Sequence, residues 1–134
     1  LDKNQKEIIK AYMETAKDKI ESAEILFKYR KYDDTVSMAY YAVFHCAQAL
    51  LISIGIKAES HSGVRHLFGL HFIKNKKFAK KFGRYLRVLK DERENGDYGI
   101  FTFINKNDAK AAIEEAKEFL AQTEIYLKKS KSQI

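Results

Sequence analysis

The stretch Val36–Ile52, VSMAYYAVFHCAQALLI, decides the fold. Of its 17 residues only Ser37, His45 and Gln48 fall outside the apolar class, and it contains neither Pro nor Gly. A run this long, rich in helix formers, reads as one helix and not as a strand. A helix that is apolar on nearly every side must be wrapped by other helices or by lipid. A membrane span needs about 20 apolar residues. This run is shorter and carries His, Gln and two Tyr. The expectation is a central buried helix over about residues 34–54, wrapped by protein and without membrane contact.

Its polar residues are not scattered. At about 100° per residue, Ser37, Tyr41, His45 and Gln48 fall within one arc of roughly 80°. Such a stripe either satisfies itself against a neighbouring helix, as buried polar groups normally do, or lines a cleft.

Composition agrees with a bundle. The chain has 134 residues, enough for one domain with a real core, so residues 1–134 are read as a single helical domain. Apolar residues make up 46% and charged residues 32%, which excludes a disordered chain. There is no Pro and there are only six Gly, too few turn residues for an all-β fold. The lone cysteine, Cys46, excludes an internal disulfide and reads as a small buried hydrophobe. The opening LDKNQKEII is charged where a secretion signal would be apolar, so the expected location is cytoplasmic.

Net charge is +7, and one segment carries it. Residues 74–90 hold eight basic side chains and no acidic one, leaving 17 basic (25 less these eight) against 18 acidic elsewhere. Concentrated charge of one sign attracts a polyanion better than the same charge spread evenly, although most charge runs are simply solvated faces.

In chain order, Ile9, Tyr12, Ala16, Ile20, Ala23 and Phe27 form one stripe on a first helix from about Asn4 to Tyr29. Asp33 or Asp34 is placed to cap the central helix, and Gly55 to stop it. Ser60 or Ser62 can cap a third helix with Val64, Leu67, Phe68 and Phe72 inside. A fourth, from about Lys77 to Asn95, has the apolar face Phe78, Phe82, Tyr85, Leu86 and Leu89. Lys77, Lys80, Lys81, Arg84 and Arg87 fall away from that face and form a candidate nucleic-acid face. Arg93 lies about 40° from the centre of the apolar face. It must pair there, with Asp97 as the available partner, or border a cavity. Ile100, Phe101 and Phe103 should tuck against the bundle. Asn107 or Asp108 caps a last helix to about Lys129, with Ala112, Ala116, Phe119, Leu120, Thr123 and Leu127 inward. The fold class is therefore all-α, an antiparallel bundle of about five helices.

Little in the sequence suggests a metal or cofactor. His66 and His71 are five apart, not the three or four that puts two ligands on one helix face. There is no phosphate-cradling Gly-rich loop after a strand. What remains is the polar stripe, His61, and Arg93 with Asp97 and Tyr98. The candidate ligand cleft is Tyr41, His45, His61, Arg93, Asp97 and Tyr98. His61 reads equally as a solvent-exposed neighbour of a helix cap.

AYYAVFHCAQALLISIG (39–55), SHSGVRHLFGLHFI (60–73) and LRVLKDERENGDYG (86–99) together resemble the HEPN family (higher eukaryote and prokaryote nucleotide-binding), most closely its small stand-alone members. The resemblance runs from about Ile20 to Ile125. It implies a bundle of four or five helices that dimerises. Many members are encoded beside a minimal nucleotidyltransferase; others are metal-independent ribonucleases. The ribonuclease branch carries an Arg, four to six residues, then a His. Arg93 matches the Arg, but a four-residue spacer lands on Tyr98, and no histidine follows in the chain. A Tyr titrating near 10 is a poor proton shuttle at pH 7. Arg93 and Tyr98 are thus a doubtful catalytic pair, unless His61 or a histidine of a second copy fills the role.

Three functions are open on these residues. The first is a homodimeric module that binds nucleotide or RNA and works with a minimal nucleotidyltransferase in a two-gene, toxin-antitoxin-like system. The second is a metal-independent ribonuclease toxin in which Arg93 stabilises the phosphorane charge. The third is a non-catalytic adaptor whose basic face docks an acidic protein. The first is preferred because the motif histidine is missing.

Overall fold

The structure is a computed structural model, and it describes residues 1–87 and 103–132. Among the described residues it is an all-α bundle without strands. Helix α1 spans Lys3–Lys28 and α2 spans Tyr32–Ser53. Helix α3, His61–Phe68, runs straight into a π-helical turn, Gly69–Ile73. Helix α4 is described over residues 80–87, and α5 spans Lys106–Ser132.

α2 is the hub. Val36, Ala39, Ala42, Val43, Ala47, Ala49, Leu50 and Leu51 are wholly buried, with α1, α3 and α5 packed around them. The alanines let neighbouring backbones approach, and α1 and α5 answer with Ala16, Ala23, Ala109, Ala112 and Ala116. α1 and α5 run antiparallel, tied by Lys17–Glu124 at 3.9 Å and Glu24–Lys117 at 3.2 Å. One contiguous core draws on all five helices. Length is not what separates α2 from a membrane span. The helix runs 22 residues, long and apolar enough to cross a bilayer; what distinguishes it is that 83% of its most apolar window is buried in protein.

The helix ends refine the sequence expectations. α1 starts with a capping box, Asp2 accepting from the Gln5 N–H and the Gln5 side chain accepting from the Asp2 N–H. It ends in a turn with Arg30 left-handed (φ 62°). Asp33 and Asp34 do not cap α2. Lys31 holds the cap position without a side-chain bond, and both carboxylates sit inside the first turn, where they still face the positive end of the helix dipole. Gly55 (φ 80°) closes α2, its N–H bonding Ile52 and that of Ile56 bonding Leu51. Of the two serines, Ser60 is the cap of α3, accepting from Gly63. α5 is capped by Asn105, whose side chain accepts from the Asp108 N–H while Asp108 returns the bond. Asn107 takes no part in that cap.

A ring cluster seats α3, α4 and α5 together. Phe68, Phe72, Phe78, Phe82 and Phe119 are all buried, with Phe68–Phe119 centroids 5.4 Å apart and Phe82–Phe119 5.7 Å. α4 begins at Lys80, later than the expected Lys77, because Lys76 is left-handed (φ 63°) and the chain turns back there. Phe78 still reaches the core, its N–H bonding Phe72 at 2.8 Å. Phe103 does not tuck in; it is 86% exposed. Leu89, Ile100 and Phe101 lie outside the described residues.

Phe119 touches rings from three segments, so Phe119→Ala should cost about 3–5 kcal/mol of stability in chemical denaturation. Gly55→Ala and Gly69→Ala both add a methyl into open space, but only Gly55 is left-handed. The first should destabilise by about 1 kcal/mol, and the second should stabilise by roughly 0.5–1 kcal/mol.

Candidate functional site

The polar stripe of α2 resolves into two linked arrangements. In the first, the Gln48 side-chain N–H2 donates to the Ala58 carbonyl at 3.2 Å. A carbonyl can only accept, so the amide oxygen faces His45, 2.9 Å from Nδ1. The proton of a neutral His45 is therefore on Nδ1, and Nε2 carries the lone pair. Tyr12 of α1 stacks on the imidazole, with centroids 5.8 Å apart and planes 20° apart. Gln48 is buried and His45 half-buried.

In the second, the Tyr40 hydroxyl and His61 Nδ1 share a hydrogen bond. His61 is the first residue of α3 and rests on α2, 4.6 Å from the Phe44 ring, 5.5 Å from Tyr40 and 6.5 Å from Tyr41. It is half-buried and not an exposed cap neighbour. Phe44 also meets His45 at 5.8 Å. Tyr41, His45 and His61 are thus gathered in one ring cluster with Tyr12, Tyr40 and Phe44. The other three members of the expected cleft, Arg93, Asp97 and Tyr98, lie outside the described residues.

Tyr40, Phe44 and Tyr12 were absent from the sequence-based set. Tyr12 and Phe44 read as ordinary core residues, but Tyr40 left a signal. A Tyr in a largely apolar run must find a partner for its hydroxyl, and here His61 at the start of α3 supplies it. A groove of about 750 Å³ between α1, the end of α2 and α5 contains none of the candidate residues. Among the described residues no group of His, Cys, Asp or Glu is placed to hold a metal.

Lys77, just ahead of α4, and Lys80, Arg84 and Arg87 on it are exposed, with Lys77 over the Phe72 ring and Arg84 over Tyr85. Lys81 behaves differently. Its ammonium donates to Glu118 of α5 at 3.1 Å, so the segment does have a compensating acid, supplied from far along the chain. The Tyr85 hydroxyl, followed by Lys81, holds the Glu118 carboxyl below its usual range. Burial, the largest cause, keeps the nearby Glu115 carboxyl above its own.

Burial also separates the histidine from the cysteine of α2. Desolvation lowers the His45 pKa against the Gln48 hydrogen bond, which raises it, and the Lys19 charge lowers it further. Burial pushes the Cys46 thiol up to about 12, making it no nucleophile at neutral pH.

The HEPN domain family model matches residues 9–126. "Putative toxin MJ0605" of Methanocaldococcus jannaschii is 32% identical over 98% of this chain and 92% of its own length. "Putative toxin MJ0142" of the same organism is 32% identical over 86% of this chain and 78% of its own. A "UPF0332 protein" of Thermotoga maritima is 32% identical over 87% and 89%.

The unfolded His45 titrates near 6.5 and the folded one lower. Its contribution to stability is full above 6.5 and is lost as pH falls through the folded value. Tm measured from pH 7.5 to 5.5 should therefore fall more steeply for the wild type than for His45→Phe, and equal slopes would contradict this assignment. As pH falls through the lowered Glu118 pKa, its pairing with Lys81 should be lost in both proteins.

Proposed function

The chain belongs to the HEPN family, and on that premise we propose that it is a toxin-type module that binds RNA or a nucleotide. The observation that carries this reading is the relative named as a toxin, which aligns with nearly the whole chain and not with a fragment of it. The exposed cations of α4 supply the electrostatic half of such a site, because phosphate contacts dominate the affinity of nucleic-acid binding. The pairing of Lys81 with Glu118 leaves Lys77, Lys80, Arg84 and Arg87 as the contact set.

In this reading the protein works as a homodimer with a minimal nucleotidyltransferase as its partner in a two-gene system. It binds without cutting, since the four-residue spacer after Arg93 ends at Tyr98 and not at a histidine. The toxin names of two relatives favour a second reading, a metal-independent ribonuclease that uses Arg93. In that case the proton shuttle comes from a histidine outside the family motif.

One gel separates the two readings. Purified protein is incubated with labelled structured RNA in EDTA, beside Arg93→Ala and Lys80→Glu/Arg84→Glu. The expected result is a mobility shift without cleavage that weakens at least tenfold in the double charge reversal. Cleavage lost in Arg93→Ala would establish the ribonuclease instead. Neither shift nor cleavage would remove RNA from the account.

A further inference from the structure

Of the two nitrogens of His45, only Nδ1 is engaged by the hydrogen bonding of the cluster. His45 is half-buried, and its Nε2 makes no hydrogen bond to a described residue, while Nδ1 is held by the Gln48–Ala58 relay. The ring cannot easily turn, because Tyr12 covers one face and Phe44 stands against it at 63°. A carbonyl, an amide and two rings thus hold a single lone pair in one direction. This is how a ligand-reading histidine is oriented: the bond at one nitrogen fixes what the other can do.

We infer that His45, with Tyr12 and Lys19 of α1, reads an unpaired nucleotide, Nε2 accepting a hydrogen bond from a donor on that nucleotide. The inference rests on the RNA-binding reading above and names which part of the ligand the described cluster takes. A neutral imidazole with its lone pair outward has nothing to offer a phosphate oxygen, which is itself an acceptor. It selects a donor. On a nucleotide the donors are the 2′-hydroxyl, which even a duplex displays in its shallow minor groove, and the N–H groups of the Watson–Crick edge, which are exposed only when the strand is unpaired. Lys19 supplies the complementary group. It lies seven residues after Tyr12, on the same side of α1, and its charge is felt at His45. An ammonium beside the imidazole can hold the phosphate of the nucleotide whose donor Nε2 accepts. Gln48 touches no ligand in this scheme; it is a positioning residue.

The test is fluorescence anisotropy with labelled octamers of cytidine, ribo and deoxy, at low salt, on the full chain. His45→Phe keeps the ring packing on Tyr12 and removes the acceptor. The ribo octamer should lose about five- to tenfold in affinity, the loss of one hydrogen bond. An unchanged deoxy octamer would assign the donor to the 2′-hydroxyl, and an equal loss in both would assign it to the base amine. If the wild type binds and His45→Phe binds both octamers equally well, the inference fails while the RNA-binding reading stands. If the wild type binds neither, both fail.

A second measurement needs no variant. In protein labelled with 15N in the imidazoles, His45 Nδ1 should carry the proton and Nε2 should not. The Nε2 resonance should move on adding the ribo octamer. A protonated Nε2, a resonance that stays still at saturation, or one that moves only with protein concentration would overturn the inference. The last result would mean that a second copy covers the atom.

Discussion

Everything else in this protein follows from the need to bury α2 on all sides. A surface helix presents one apolar stripe and needs one partner. Between Thr35 and Ile52, α2 leaves only a narrow edge, which includes Tyr41 and His45, that is not fully buried, so α1, α3 and α5 must all meet it. Alanines on both sides of those contacts let the helices close without voids, and close packing is what makes burial worth its conformational cost. The same enclosure governs the polar side chains that α2 does carry. The Thr35 hydroxyl bonds back to the Lys31 carbonyl, Gln48 reaches Ala58, and Tyr40 meets His61. The chemistry of the site is therefore a by-product of satisfying a buried helix, with His45 lying where that enclosure opens to solvent.

The features legible in the sequence were those that depend on local pattern. The helical class, α2 as hub, the stop at Gly55 and the inward faces of α1 and α5 all rest on periodicity or on one residue's conformational preference. Cap positions were less legible. Asp33 and Asp34 favour a helix start whether they sit at the cap or in the first turn, so composition cannot choose between the two. Phe103 shows the limit of reading hydrophobicity as burial, since single apolar side chains are common on surfaces.

The site divides in the same way. His45 and Gln48 are three apart on one helix, and their pairing could be read from spacing. The link to Ala58, the stacking of Tyr12 and the seat of His61 on Phe44 depend on how separate helices meet, which spacing does not encode. Lys81 makes the point most plainly. Counting charges along residues 74–90 finds no acid, yet α5 brings Glu118 to its ammonium. An even stripe in sequence becomes an uneven one in space: among the described residues six of its cations are exposed and Lys81 is engaged in holding α4 to α5.

Cys46 gives the molecule an internal clock. Its thiol is sealed at the centre of α2 beside Thr123 and is held in the unreactive protonated form. A thiol-reactive dye can reach it only when the helices around α2 part. The chain holds no second cysteine to blur the signal. The rate at which such a dye is consumed, followed against dye concentration, therefore reports how often the bundle breathes open, at the site where breathing is most costly and without any label added by design.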